Sequence, residues 1–131
     1  MMPGPQTPAR ILVGDDESQI CGLVRDVLRP GGYAIDVIQN GRELLEICVG
    51  GGYSLLILDA VLQQTSAMEV VMKLRDRGDR VPIILMSGPP HEVDRLEPFA
   101  FTYRVDVLRK PFGVRDLRSA VDRALGTGRP D

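Results

Sequence analysis

The stretch Leu55-Leu56-Ile57-Leu58-Asp59-Ala60-Val61-Leu62 opens with four consecutive aliphatic residues and turns to an acid at position 59. A strand with one solvated face alternates apolar and polar residues, whereas an unbroken run bounded by a breaker such as Gly50-Gly51-Gly52 reads as a strand covered on both sides. Asp59 then stands at the carboxyl end of a buried strand. Working outward, the same motif recurs. Ile11-Leu12-Val13 runs into Gly14-Asp15-Asp16-Glu17, Val81 to Met86 runs into Ser87-Gly88, and Asp106 to Arg109 runs into Lys110-Pro111-Phe112. Tyr33 to Ile38 is a further candidate strand, and Pro82 is tolerable near a strand start.

Between the strands the apolar spacing changes from continuous to helical. Ile20, Leu23, Val24, Val27 and Leu28 recur at threes and fours after Ser18, and Pro30-Gly31-Gly32 stops them. Asn40 can cap a helix that turns Leu44, Leu45 and Cys48 inward, and Met68, Val70, Val71 and Leu74 mark a third. Pro89-Pro90 and Pro98 predict a short fourth helix between them, with His91 as an exposed loop residue without a role. Val114, Leu117, Ala120, Val121, Ala124 and Leu125 form the last stripe, closed by Gly126. Five strands alternating with five helices predict an α/β fold, a doubly wound parallel sheet with helices on both faces. Right-handed crossovers then put every carboxyl strand end on one edge, outside which such sheets hold their ligands.

At 131 residues the chain suits a single domain, expected over 10–125 between flexible tails at 1–9 and 126–131. A formal net charge of −2 gives no reason to expect a nucleic-acid or acidic-membrane partner. No apolar run approaches the roughly 20 residues needed to span a bilayer. The start, MMPGPQTPAR, lacks the basic-then-apolar order of a secretory signal, so a cytoplasmic location is expected. Cys21 and Cys48 sit in no metal or redox spacing and read as plain buried residues. Lys73 and Lys110 are the only lysines, against fourteen arginines.

Asp15, Asp16, Asp59, Ser87 and Lys110 all fall just past strand ends and can therefore converge. Carboxylates gathered without a counter-charge repel one another and raise their own pKa values. Mg²⁺ resolves this, because it takes hard oxygen ligands and is commonly held by one or two carboxylates plus phosphate oxygens. Lys110 offers a mobile positive charge for a phosphoryl oxygen, Ser87 a hydroxyl donor, and an aspartate carboxylate can act as nucleophile toward phosphorus. Taken singly, each residue has a plainer reading: a helix-start charge pair at 15–16, a turn cap at 59, a turn serine at 87, a solvated lysine at 110. Their common edge favours the joint one.

ILVGDDE at 11–17, LLILDAVL at 55–62, PIILMSG at 82–88 and DVLRKPF at 106–112 together resemble, in order and nearly in spacing, the four signature segments of response-regulator receiver domains. The likeness covers roughly 10–125. It implies a flavodoxin-like sheet of order 2-1-3-4-5 and a two-component phosphorelay in which Asp59 accepts a phosphoryl group from a sensor histidine kinase or phosphotransfer protein. It also implies Mg²⁺ held by Asp15, Asp16, Asp59 and the Val61 backbone carbonyl, contacts from Ser87 and Lys110 to the phosphoryl group, a cis Lys110-Pro111 bond, and altered binding of a downstream protein. Such a domain is a switch rather than an enzyme, limited to self-phosphorylation from small donors and self-dephosphorylation. It acts alone or as the receiver of a longer regulator or hybrid kinase.

The chain departs from the family at several places. Val107 occupies the position of an aromatic residue that swings inward when the serine moves, and valine has no ring to swing. Tyr103 and Arg104 replace small residues, and Gln63 and Ala67 stand where Pro and Gly are usual. Val61 and Pro89 flank the presumed path of the hydrolytic water and cannot orient it, which predicts a long-lived phospho-state. Among alternatives, a phosphatase with an aspartyl nucleophile wants a second Asp where Val61 stands. A nucleotide- or flavin-binding domain wants a Gly-rich loop where Gly14-Asp15-Asp16-Glu17 is acidic. A receiver that binds partners without taking phosphate is favoured by the 103–107 departures and opposed by the intact acids and Lys110.

Overall fold

The computed structural model describes residues 8–62 and 64–126. Five parallel strands form the main sheet: β1 (Arg10–Gly14), β2 (Ala34–Ile38), β3 (Leu55–Asp59), β6 (Ile83–Ser87) and β7 (Asp106–Arg109), in the order β2-β1-β3-β6-β7. This is the expected 2-1-3-4-5 order once a small extra hairpin, β4 (Val61–Leu62) with β5 (Thr65–Ser66), takes its place in the numbering. The helices are α1 (Ser18–Leu28), α2 (Leu44–Gly50), α3 (Ala67–Asp76), α4 (Pro90–Tyr103) and α5 (Val114–Leu125). The tails expected at 1–9 and 126–131 lie, for residues 1–7 and 127–131, outside the described residues, as does Gln63.

The continuous apolar strands are explained by cores on both faces. Successive strand residues point to opposite sides, so Leu12, Leu56, Leu58, Ile83 and Leu85 pack with α2, α3 and α4. Ile11, Val13, Leu55, Ile57, Ile84 and Met86 pack with α1 and α5 on the other face. Each aliphatic side chain fully buried in this way contributes roughly 2 kcal/mol relative to exposure. Cys21 and Cys48 are both free and buried within these layers, and burial pushes the Cys48 thiol up to about 12.

Several expectations are corrected. The fourth helix does not stop at Pro98 but runs 14 residues through it to Tyr103, and His91 is an exposed residue of its first turn, not of a loop. Proline removes one backbone donor, but Val93, Leu96 and Ala100 carry the buried stripe across it, so tertiary packing outweighs the local penalty. The helix ends at Arg104, a non-glycine residue in the left-handed region (φ 58°, ψ 54°) whose N–H returns to the Ala100 carbonyl. Leu23 and Val114 are solvent-exposed rather than inward, the buried place on α1 being taken by Cys21. Asn40 accepts from the Arg42 N–H at 2.8 Å, but the turn it caps is a single 3₁₀ turn, Gly41–Glu43, leading into α2.

Candidate functional site

The carboxyl ends of β1, β3, β6 and β7 meet at one edge. The register sets Gly14 beside Leu58, Asp59 beside Met86, and Ser87 beside Arg109. The residues that follow β1, β3 and β7 are held by the backbone: Asp15 N–H donates to the Ile38 carbonyl at 3.0 Å, Ala60 N–H to Met86 at 2.9 Å, and Lys110 N–H to Ser87 at 2.7 Å. The Lys110-Pro111 peptide is cis.

Lys110 is the centre of the arrangement. Its Nζ lies 2.8 Å from Asp15 Oδ2, 3.2 Å from Asp59 Oδ2 and 3.4 Å from Glu17 Oε1. Asp15 is fully buried, and Asp59 nearly so. Asp15 Oδ2 is buried and, apart from the ion pair with the Lys110 ammonium, has no hydrogen-bond partner among the described residues. Its other oxygen, Oδ1, accepts from the Glu17 N–H at 2.9 Å, and Asp59 Oδ1 accepts from the Val61 N–H at 3.3 Å. Carboxylate oxygens of Asp15, Asp16, Glu17 and Asp59 all lie within 4.8 Å of one another.

The electrostatics follow from this crowding. Burial, then the Asp15 charge, push the Asp59 carboxyl above the ordinary range, and Lys110 only partly opposes them. Burial alone would lower the Lys110 ammonium, but Asp15 and Asp59 outweigh it and hold it well above the usual lysine value. Four acids against one ammonium leave excess negative charge at partly buried oxygens, and a buried carboxylate oxygen without a full partner is what a hard divalent cation would satisfy. The donor set fits Mg²⁺: oxygen only, two or more carboxylates, and one open side.

Asp15, Asp16, Asp59 and Lys110 are thus brought together. Ser87 sits on the same edge, but its hydroxyl donates to Glu92 in the first turn of α4. Val61 is on β4 with its side chain 61% exposed, and what it offers Asp59 is its N–H. Val107 lies on β7 opposite Leu85, while the Tyr103 ring packs on Phe99 at 4.6 Å, so neither gives the edge an aromatic residue free to move. Sequence reasoning missed Glu17 and Glu92. Glu17 could have been found as the third acid of one short loop. Glu92 could have been found as an N3 acid behind a proline cap. A cavity of about 730 Å³ bordered by Arg75, Arg80, Arg104 and Arg123 lies at the opposite, amino-terminal edge and has no access to these carboxylates.

Residues 11–122 match the family model described as "Response regulator receiver domain". The chain belongs to the response regulator receiver domain family. Among curated relatives, this receiver domain is 33% identical over 118 residues to the "Uncharacterized transcriptional regulatory protein YkoG" of Bacillus subtilis, covering 88% of this chain and 50% of that one. It is 33% identical over 108 residues to the "Transcriptional regulatory protein ResD" of the same organism, covering 82% and 44%. The chain therefore spans about half the length of the curated relatives it matches. In fold it resembles chemotaxis response regulator CheY4 of Vibrio cholerae, with a TM-score of 0.79 at 23% identity over 91% of this chain and 100% of that one. The signal receiver domain of a Luxo repressor protein from Vibrio parahaemolyticus gives a TM-score of 0.83 at 20% identity, covering 92% of each. Among the described residues no helix is long and apolar enough to cross a membrane.

Proposed function

We propose that Asp59 is the phosphoacceptor of this receiver domain, with Lys110 and Ser87 serving the transferred group and with Asp15, Asp16, Asp59 and the Val61 backbone carbonyl as the Mg²⁺ ligands. The observation that carries this reading is the approach of Lys110 Nζ to 3.2 Å from Asp59 Oδ2 and 2.8 Å from Asp15 Oδ2, which joins residues 51 and more positions apart in the chain. A carboxylate oxygen of Asp59 forms the new bond to phosphorus while the phosphorus bond to the donor, an imidazole nitrogen or an acyl oxygen, breaks, and the leaving group departs with the electron pair. Mg²⁺ bound by the acids would offset the charge of the phosphoryl oxygens. The protein's own part is positional. The Val61 N–H fixes one Asp59 oxygen and leaves the other toward Lys110, whose ammonium is fully charged at neutral pH and can pass from carboxylate to phosphoryl oxygen without losing a partner.

The donor expected is a sensor histidine kinase or a phosphotransfer protein, and the modified state is expected to change the binding of a downstream protein in the cytoplasm. Gly88 supports access by small donors such as acetyl phosphate, since even an added Cβ there would meet only Lys110 Cβ at 3.8 Å. The exposed Val61 and the Pro89 cap offer no side-chain hydrogen bond to a hydrolytic water, which favours slow self-dephosphorylation. The reading is tested with acetyl phosphate and Mg²⁺. Wild type should gain the mass of one phosphoryl group, and neither Asp59→Asn nor wild type in excess chelator should do so. Equal labelling of Asp59→Asn would overturn the assignment.

A further inference from the structure

A serine hydroxyl has one proton to donate. In this structure the Ser87 hydroxyl, on a residue only 1% exposed, gives it to Glu92 Oε1. Glu92 is the third residue of α4, where a glutamate ordinarily reaches back to the N–H of the cap residue. Here the cap is Pro89, which has no N–H, and the next residue, Pro90, has none either. The carboxylate is therefore left without its local partner. Among the described residues its hydrogen-bond donor is Ser87, at the end of β6. The same first turn is otherwise held to its cap only by the Glu92 and Val93 N–H groups, both directed at the Pro89 carbonyl at 3.0 Å.

We propose that Glu92 is a positioning residue that holds the Ser87 hydroxyl in the resting state and competes with the phosphoryl group for its single proton, so that phosphorylation frees the start of α4. This rests on the phosphoacceptor reading of Asp59 and deepens it. When the hydroxyl turns to a phosphoryl oxygen, Glu92 loses its donor in the same event. The change at the site is thereby converted into loss of the side-chain hydrogen bond that, among the described residues, links β6 to the first turn of α4. This route needs no aromatic residue at 107. It couples the two sites through a choice that one hydrogen atom must make, which gives a differential contact in the two states, as a population shift requires.

The test measures the affinity for beryllofluoride with Mg²⁺ by calorimetry in wild type, Glu92→Gln, Ser87→Ala and the double variant. Glu92→Gln keeps the shape but turns a charge-assisted bond into a neutral one, and should tighten binding about tenfold. In the Ser87→Ala background the same change should do nothing. A merely structural or dipole role for Glu92 would shift both backgrounds equally, and that result, or no shift in either, would overturn the proposal while leaving Asp59 as phosphoacceptor. Failure of wild type itself to bind beryllofluoride would overturn the phosphoacceptor reading and this proposal with it. As an independent readout, amide exchange at Glu92 and Val93 should speed up on beryllofluoride binding in wild type and should already be faster in free Glu92→Gln than in free wild type. Unchanged exchange in both would contradict a released α4.

Discussion

Replacing Lys110 by methionine keeps the length and the apolar stem but removes the cation that, among the described residues, pairs with Asp15 and Asp59. The attractions at 2.8 and 3.2 Å are worth about 6 and about 5 kcal/mol at an effective dielectric near 20, before the cost of desolvating the ammonium is counted. Breaking such a buried pair by deleting one partner typically costs about 3–5 kcal/mol. We expect a loss of about 3 kcal/mol at pH 8 without Mg²⁺, at the low end because neither buried carboxylate is wholly enclosed by apolar groups: the Glu17 and Val61 N–H groups still donate to them. The pH dependence has a definite sign. The Asp59 carboxyl is already raised, by burial first and Asp15 second, and loses its only lowering cation in the variant. An acid whose folded pKa exceeds its unfolded one destabilises the fold above the folded value and ceases to do so below the unfolded value. The deficit should therefore shrink as pH falls toward about 4. In wild type the raised Lys110 contributes in full up to the ordinary lysine range and is lost only as pH rises through its higher folded value. Urea unfolding of wild type and variant followed by circular dichroism at pH 8 and pH 5 measures the acid-side change, and the same comparison above pH ~10.5 measures the Lys110 contribution. Added Mg²⁺ should restore much of the loss by binding the folded state. A deficit below about 1 kcal/mol at pH 8, or one that grows on acidification, would refute this account of the cluster.

Three further outcomes are expected. The Arg75 guanidinium donates to the carbonyls of Tyr103, Asp79, Val81 and Arg104, tying α3 to the end of α4 and the approach to β6, so Arg75→Met should cost about 2–4 kcal/mol in urea unfolding. Pro98→Ala should stabilise the protein by roughly 1–3 kcal/mol, since α4 is helical on both sides and the ring only withholds a donor; an unchanged thermal midpoint would count against this. Burial raises both thiols, Cys48 to about 12, so neither should react with a thiol reagent at pH 8 until denaturant is added, and rapid reaction of the native protein would contradict their packing.

The central strands β1, β3 and β6 are readable because burial on both faces leaves no alternation to misread. Leu55 to Leu58 and Ile11 to Val13 each end in acids at the edge where the site forms. The convergence of Asp15, Asp59 and Lys110 follows from parallel topology alone, which is why residues far apart in sequence can be grouped from the strand pattern. The fourth helix was misjudged because proline was read by its intrinsic cost, whereas Leu96 and Ala100 are paid back by packing that a local reading does not contain. The β4–β5 hairpin was missed because two residues per strand are too few to show a period. The resting partner of Ser87 is legible only in part: Glu92 is an N3 acid behind a cap proline that has no N–H, but that pattern does not say which donor its carboxylate takes instead.

The central claim is that Asp59, beside Lys110 and the acidic loop, is where the phosphoryl group is carried. Its most direct test is to label the protein with acetyl phosphate and Mg²⁺, reduce the acyl phosphate with borohydride, and locate the reduced residue by peptide mass mapping. The account predicts a single reduced site at position 59. Reduction at another carboxylate, or none in protein shown to carry phosphate, would contradict it.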